Sequence, residues 1–116
     1  MDIPKGDSIR WTHAGGGGSA WIVVDFDAQT ITWRDQKPRP LTEESLTRLR
    51  LLATDVQPEH SLLQPSHLTY AQDEMMVVVL GERRVEIDAS SGEIAVGPPR
   101  TLLDAMNLLL RVPEAQ

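Results

Sequence analysis

The sequence predicts an α+β domain. We expect an antiparallel sheet of about five to six strands, in the order β-β-β-α-β-β-α, with two helices packed on one face. Three observations predict it. Runs of strand length with alternating or β-branched character recur over Ser8–His13, Ala20–Phe26, Glu74–Leu80 and Arg83–Asp88. Two other segments place leucines at helical spacing instead, within Thr42–Asp55 and within Thr101–Arg111. Glycine, proline and aspartate separate these segments at the points where the chain must turn.

The first unit reads as a three-stranded meander. Strand one covers about Asp7–His13 and strand two about Ala20–Phe26. Asp27-Ala28 then turns the chain into Gln29–Arg34, where Ile31 and Trp33 share a face. Between strands one and two lies Gly15-Gly16-Gly17-Gly18-Ser19-Ala20. Four glycines without side chains leave the backbone bare, as suits a hairpin tip or close approach by another molecule. The same letters would serve as a flexible linker, but the segment before them reads as a full strand of the domain. The tract Asp35–Pro40 is expected to end the sheet, because its two prolines, Pro38 and Pro40, cannot donate to a ladder.

A helix follows over Thr42–Asp55. Thr42 is the expected N-cap, and Glu43 and Glu44 meet the positive end of the helix dipole. Leu46, Leu49, Leu52, Ala53 and Val56 form its apolar stripe; Arg48 and Arg50 face away, and Pro58 limits its extension. Pro58–Ser66 reads as a loop with a turn around Leu62-Leu63, and His67–Gln72 as a short strand or a lead-in. Glu74–Leu80 reads as a central strand, Gly81-Glu82 as its turn and Arg83–Asp88 as the return strand. Asp88–Gly92 is a loop, Glu93–Val96 a last short strand or ordered loop, and Gly97-Pro98-Pro99 a break. The closing helix starts at Arg100 or Thr101 and runs to Arg111, with Thr101 as cap and Asp104 three residues on. Pro113 ends it. The reading predicts one domain over residues 1–116, with 1–6 flexible and 113–116 a tail.

Composition narrows the function classes. A chain of 116 residues, 41% hydrophobic, can bury one core of its own. Its formal net charge of −6 argues against nucleic acid, which needs a basic patch; Arg48, Arg50, Arg83 and Arg84 are each diluted by nearby glutamates. An acidic surface suits a basic protein partner or plain solubility. With 0 cysteines, disulfides, zinc–thiolate sites and cysteine nucleophiles are excluded, and a reducing cytoplasm is the expected compartment. Residues 1–7 have no signal-peptide character, and the longest apolar run, Met75–Leu80, has strand length, so no membrane contact is expected.

Chemistry-bearing residues are sparse. His13, His60 and His67 lack ligand spacing for a metal. Asp25 and Asp27 flank Phe26 at an expected hairpin turn, where aspartate serves local hydrogen bonding; Asp73-Glu74 and Asp88 read as structural acids in the same way. Ser19 lies outside any nucleophile-elbow pattern, and the glycine run lacks the Lys-Ser/Thr ending of a phosphate loop. No catalytic residue, metal ligand or cofactor is expected, and the chain reads as something other than an enzyme. The tryptophans stand out more: Trp11 and Trp21 lie on the strands flanking the glycine tip, and Trp33 on the third. They read as core or cross-strand packing, or as one wall of a binding surface.

The order of segments resembles the emfourin family, small bacterial protein inhibitors of protealysin and related thermolysin-like metallopeptidases. The resemblance rests on the first strand Ile9-Arg10-Trp11-Thr12-His13, the tip Gly17-Gly18-Ser19-Ala20 and the leucine-patterned helix. It continues through the hairpin Met76–Asp88 and the closing segment Leu102–Leu110. It spans most of the chain at the level of pattern. It implies stoichiometric binding that blocks a protease cleft, without catalysis or cofactor. Gly15, Gly16, Gly17, Gly18, Ser19 and Ala20, with Trp21, are then the partner-binding residues. Two other readings stand beside it. One is a small acidic immunity-type protein neutralising a basic toxin. The other is a metal-binding or small hydrolase domain using His13, His60, His67 and nearby carboxylates.

Overall fold

Strand alternation becomes sheet register in the computed structural model, which describes residues 6–15, 18–57, 73–88 and 97–111. In chain order the elements are β1 (Ser8–Gly15), β2 (Gly18–Asp25), β3 (Thr30–Trp33), β4 (Arg39–Pro40), α1 (Glu43–Thr54), β5 (Asp73–Leu80), β6 (Arg83–Asp88) and α2 (Gly97–Arg111). The strands form one six-stranded sheet in the order β4-β3-β2-β1-β5-β6, with every neighbouring pair antiparallel. The fold is α+β, as expected.

Alternation sorts the sheet into two faces. One face carries Ile9, Ile22, Val24, Ile31, Met76, Val78, Val85 and Ile87, all buried. These side chains meet Leu46, Leu49 and Ala53 of α1 and Leu102, Leu103 and Met106 of α2 in one core cluster. Both helices therefore cover the same face. The expected stripe of α1 is the buried one, with Val56 closing it and Leu52 half-buried, while Leu51, just outside the stripe, is 66% exposed. Thr42 caps α1 through Oγ1, which accepts from the Ser45 N–H at 3.2 Å.

The opposite face carries Arg10, Thr12, Trp21, Val23, Met75 and Val77. Val23 and Val77 are buried there, with Arg10 standing between them in register. β5 lies inside the sheet, flanked by β1 and β6, as its apolar run leads one to expect.

Three expectations need correction. The Asp35–Pro40 tract does not end the sheet, because Arg39–Pro40 adds a two-residue strand beside β3. Pro40 is tolerated because it occupies the sheet's outer edge, where its missing N–H interrupts no ladder. β3 is shorter than Gln29–Arg34, since both ends turn into left-handed backbone, Gln29 at φ 59° and Arg34 at φ 52°. Finally, α2 starts at Gly97, so Gly97-Pro98-Pro99 forms its first turn instead of a break. The first helical N–H groups have no intrahelical acceptor, so prolines there cost nothing. Thr101 consequently sits inside α2, with Oγ1 donating to the Gly97 carbonyl, and Asp104 pairs with Arg100 at 3.0 Å rather than completing a capping box.

The expectations for Pro58–Ser66, His67–Gln72, Ala89–Gly92, Glu93–Val96 and the two chain ends, apart from Gly6, fall outside the described residues.

Candidate functional site: a glycine-ended hairpin

β1 and β2 pair without a break from Ser8↔Asp25 to Gly15↔Gly18. The glycine run thus ends a hairpin of two eight-residue strands. Gly15, Gly18, Ser19, Ala20 and Trp21 lie in its ladder; Gly16 and Gly17 fall outside the described residues. Along an antiparallel strand each residue advances about 3.4 Å, so Gly15 stands about 14 Å beyond Trp11. Side chains shrink along that distance. Ala14 and Ser19, facing each other in the last pair before the glycines, are both exposed.

The two faces of this hairpin differ. On the helix side, Trp11 reaches across to β5, where Nε1 donates to Oε2 of Glu74 at 2.8 Å. His13, two residues on, stacks on the Trp11 ring with centroids 6.0 Å apart and planes 17° from parallel. Glu74 is 7% exposed. It lies in phase with Met76 and Val78, directly opposite His13 in the β1–β5 register. Glu74 lies in a strand, as the Glu74–Leu80 reading expects, and β5 begins one residue earlier at Asp73; Glu74 bonds to Trp11 rather than serving a local turn. No short-range pattern could reveal the Trp11–Glu74 bond, which joins residues 63 apart.

On the other side stands Trp21, half-buried, opposite Thr12. Thr12 in turn faces Met75 on β5. The three tryptophans thus divide: Trp11 and Trp33 pack partly against the helix-side core, and Trp21 lies on the opposite face. Arg34 lies over Trp33 at 5.0 Å from the ring centroid.

Among the described residues nothing pairs with the outer edge of β2 at the tip. β3 reaches only as far as the Arg34 N–H, which donates to the Trp21 carbonyl at 3.0 Å. Backbone groups alternate in direction along a strand, so Ser19 shares the outward orientation of Trp21 and lies beyond the end of β3.

The other chemical candidates resolve into structural roles. Asp25 Oδ1 accepts from the backbone N–H groups of Asp27 and Ala28, at 3.0 and 3.1 Å, and shapes the β2–β3 turn as expected. Asp7, which sequence reasoning passed over, joins three elements. One carboxylate oxygen pairs with Arg50 of α1, and the other accepts from the Gly81 N–H at 2.7 Å. The Arg50 guanidinium, then the Gly81 amide, hold the Asp7 carboxyl below its ordinary value against a smaller opposing effect of burial. An open recess of ≈ 320 Å³ beside α1 is lined by Phe26, Glu43, Leu46 and Leu51, with Arg50 at its wall. Arg50 is engaged there by Asp7 and by the Phe26 ring, 4.5 Å from its centroid. Among the described residues no three His, Asp or Glu side chains gather as metal ligands; His60 and His67 lie outside that set. Among the described residues no helix is long and apolar enough to cross a membrane.

No family model matches this chain, and neither the curated proteins nor the solved structures contain a match.

Proposed function

We propose that this protein is a binding module for another protein, acting as a stoichiometric inhibitor of a thermolysin-like metallopeptidase. The hairpin end from Gly15 to Trp21 is the inserted part. One observation carries the reading: β1 and β2 stay paired up to Gly15↔Gly18 while their side chains diminish to alanine, serine and glycine. A thin, paired backbone can enter a cleft that a normal hairpin would overfill. The Ser19 backbone, past the end of β3, supplies an edge on which an extended cleft segment can add main-chain hydrogen bonds. Trp21 beside it provides a broad apolar contact of the kind that anchors interfaces. The emfourin-like order of segments points to the same partner class. Inhibition on this account is occlusion. The hairpin arrives pre-paired, so little conformational entropy is lost on binding.

The test is a titration of a thermolysin-like metallopeptidase from the same organism against this protein. The reading predicts loss of peptidase activity at a one-to-one ratio. Full activity with about 10 μM protein, far above the Kd of a useful inhibitor, would overturn it.

A further inference from the structure

The sheet has one long unpaired edge among the described residues. Its β4 edge is two residues long and ends in Pro40, which blunts it. Its β6 edge runs for six residues, Arg83–Asp88. The turn before it, Gly81-Glu82, connects the pair Leu80↔Arg83, with Gly81 at φ 63° and Glu82 outside the left-handed region. That is a two-residue hairpin of the II′ kind, whose bracketing pair exchanges both backbone hydrogen bonds. Alternation then turns the backbone of Arg83, Val85 and Ile87 toward β5. Arg84, Glu86 and Asp88 direct their N–H and C=O groups outward. The same parity runs consistently through the sheet: the Phe26 N–H donates to the Asp7 carbonyl, and the Leu41 N–H to the Gln29 carbonyl.

The side chains on this edge are self-complementary. Arg84 and Glu86 point to the face opposite the helices and already pair with each other at 2.9 Å, with both side chains more than half exposed. We infer that β6 is a self-association edge: two copies pair β6 to β6 antiparallel about a two-fold axis through Val85, extending the sheet across both molecules. In that register Arg84 lies opposite Glu86 of the second copy, and Glu86 opposite its Arg84. Both are pairs whose backbone groups point outward, so four main-chain hydrogen bonds accompany two ion pairs. Moving the two-fold to Arg84 sets Arg84 against Arg84, which opposes the association; moving it to Glu86 sets Glu86 against Glu86 but Arg84 against Asp88, and the exchanged double variant tells that register from the one through Val85. The inference is independent of the hairpin's role, because β6 lies at the far side of β5 from the β1–β2 tip.

Sedimentation velocity over about 10 μM to about 1 mM at low salt reads the equilibrium directly. The wild-type protein is expected to show a concentration-dependent dimer. Arg84→Glu and Glu86→Arg are each expected to weaken it by about tenfold or more, since each sets like charges in opposition. The double variant Arg84→Glu/Glu86→Arg should restore it, because the exchange regenerates the opposed pairs in this register alone. Amide exchange at Arg84 and Glu86 should slow as concentration rises, while that at Val85, already bonded inward, should not change. All the substituted side chains are exposed, and an unchanged thermal melt confirms that each variant is folded. A wild-type monomer throughout the range overturns the inference. So does a folded double variant that stays monomeric where the wild type dimerises.

Discussion

Asp7 shows how much a single side chain can hold together before the first strand begins. Its carboxylate ties the start of β1 to the middle of α1 through Arg50, and to the β5–β6 turn through the Gly81 amide. A carboxyl held below its ordinary pKa in the folded state stabilises the fold when ionised in both states. That contribution is complete above the unfolded value of about 4 and is lost as pH falls through the lower folded value. Asp7→Asn is expected to cost about 1 kcal/mol near neutral pH, with the gap to wild type closing below about pH 4. Urea unfolding at several pH values measures it. Glu74 is the second informative residue. It is 7% exposed and accepts the Trp11 indole N–H, so Trp11→Phe removes a donor from a buried carboxylate. We expect that change to lower stability by about 1–3 kcal/mol, read as a drop in Tm. The sequence placed both at the start of a strand, but the bonds they make were not legible in it. Their partners are remote in the chain, and local patterns carry no information about remote pairs.

At the scale of elements, the helices were legible because their signals are local. Thr42, Glu43 and Glu44 announce the start of α1, and its leucine stripe marks the face that is buried. The ends of the helices are different. α1 has no basic residue in its last turn. The cation comes instead from Arg83 of β6, whose guanidinium donates to the carbonyls of Thr54 and Val56. Likewise Arg39 of β4 donates to the Leu110 carbonyl near the end of α2. Each edge strand of the sheet thus supplies an arginine to the negative end of one helix. This also explains why a tract with two prolines still pairs with β3: Arg39 anchors it to α2 while Pro40 spends its missing N–H on the outer edge. Arg83→Met is expected to destabilise the fold by about 1–2 kcal/mol, more than substitution of the exposed Arg84 to Met, as measured by chemical denaturation. The start of α2 was misread for a related reason. Two prolines look like a break, yet the first turn of a helix is where they fit.

For the whole molecule, the strand segments and their order gave the fold class, while the lateral arrangement of the sheet needed the structure. Hairpin neighbours follow from short turns, as with Gly81-Glu82. The pairing of β1 with β5 closes a long loop in sequence and leaves no local mark. That pairing places β1 inside the sheet and flanks it with β5 up to Ala14↔Asp73, so only the Gly15↔Gly18 pair of the hairpin passes beyond β5. It also brings Glu74 beside Trp11 and His13 in the tip half of the hairpin. The glycine run was legible as a tip. The β2 edge at Ser19, unpaired among the described residues, was not, because it depends on β3 stopping at Arg34, where the backbone turns left-handed. Under the proposed function, partner binding falls on a tip with a bare backbone and one broad tryptophan, away from the helix-side core. Ser19→Lys and Trp21→Ala change that tip without touching the core.

Titrating the wild-type protein and these two variants against a thermolysin-like metallopeptidase from the same organism decides whether the hairpin end inhibits. The account predicts one-to-one inhibition by the wild type. It predicts inhibition weakened at least about tenfold in each variant, with thermal melts unchanged. Full peptidase activity with the wild type, or undiminished inhibition by both variants, would contradict it.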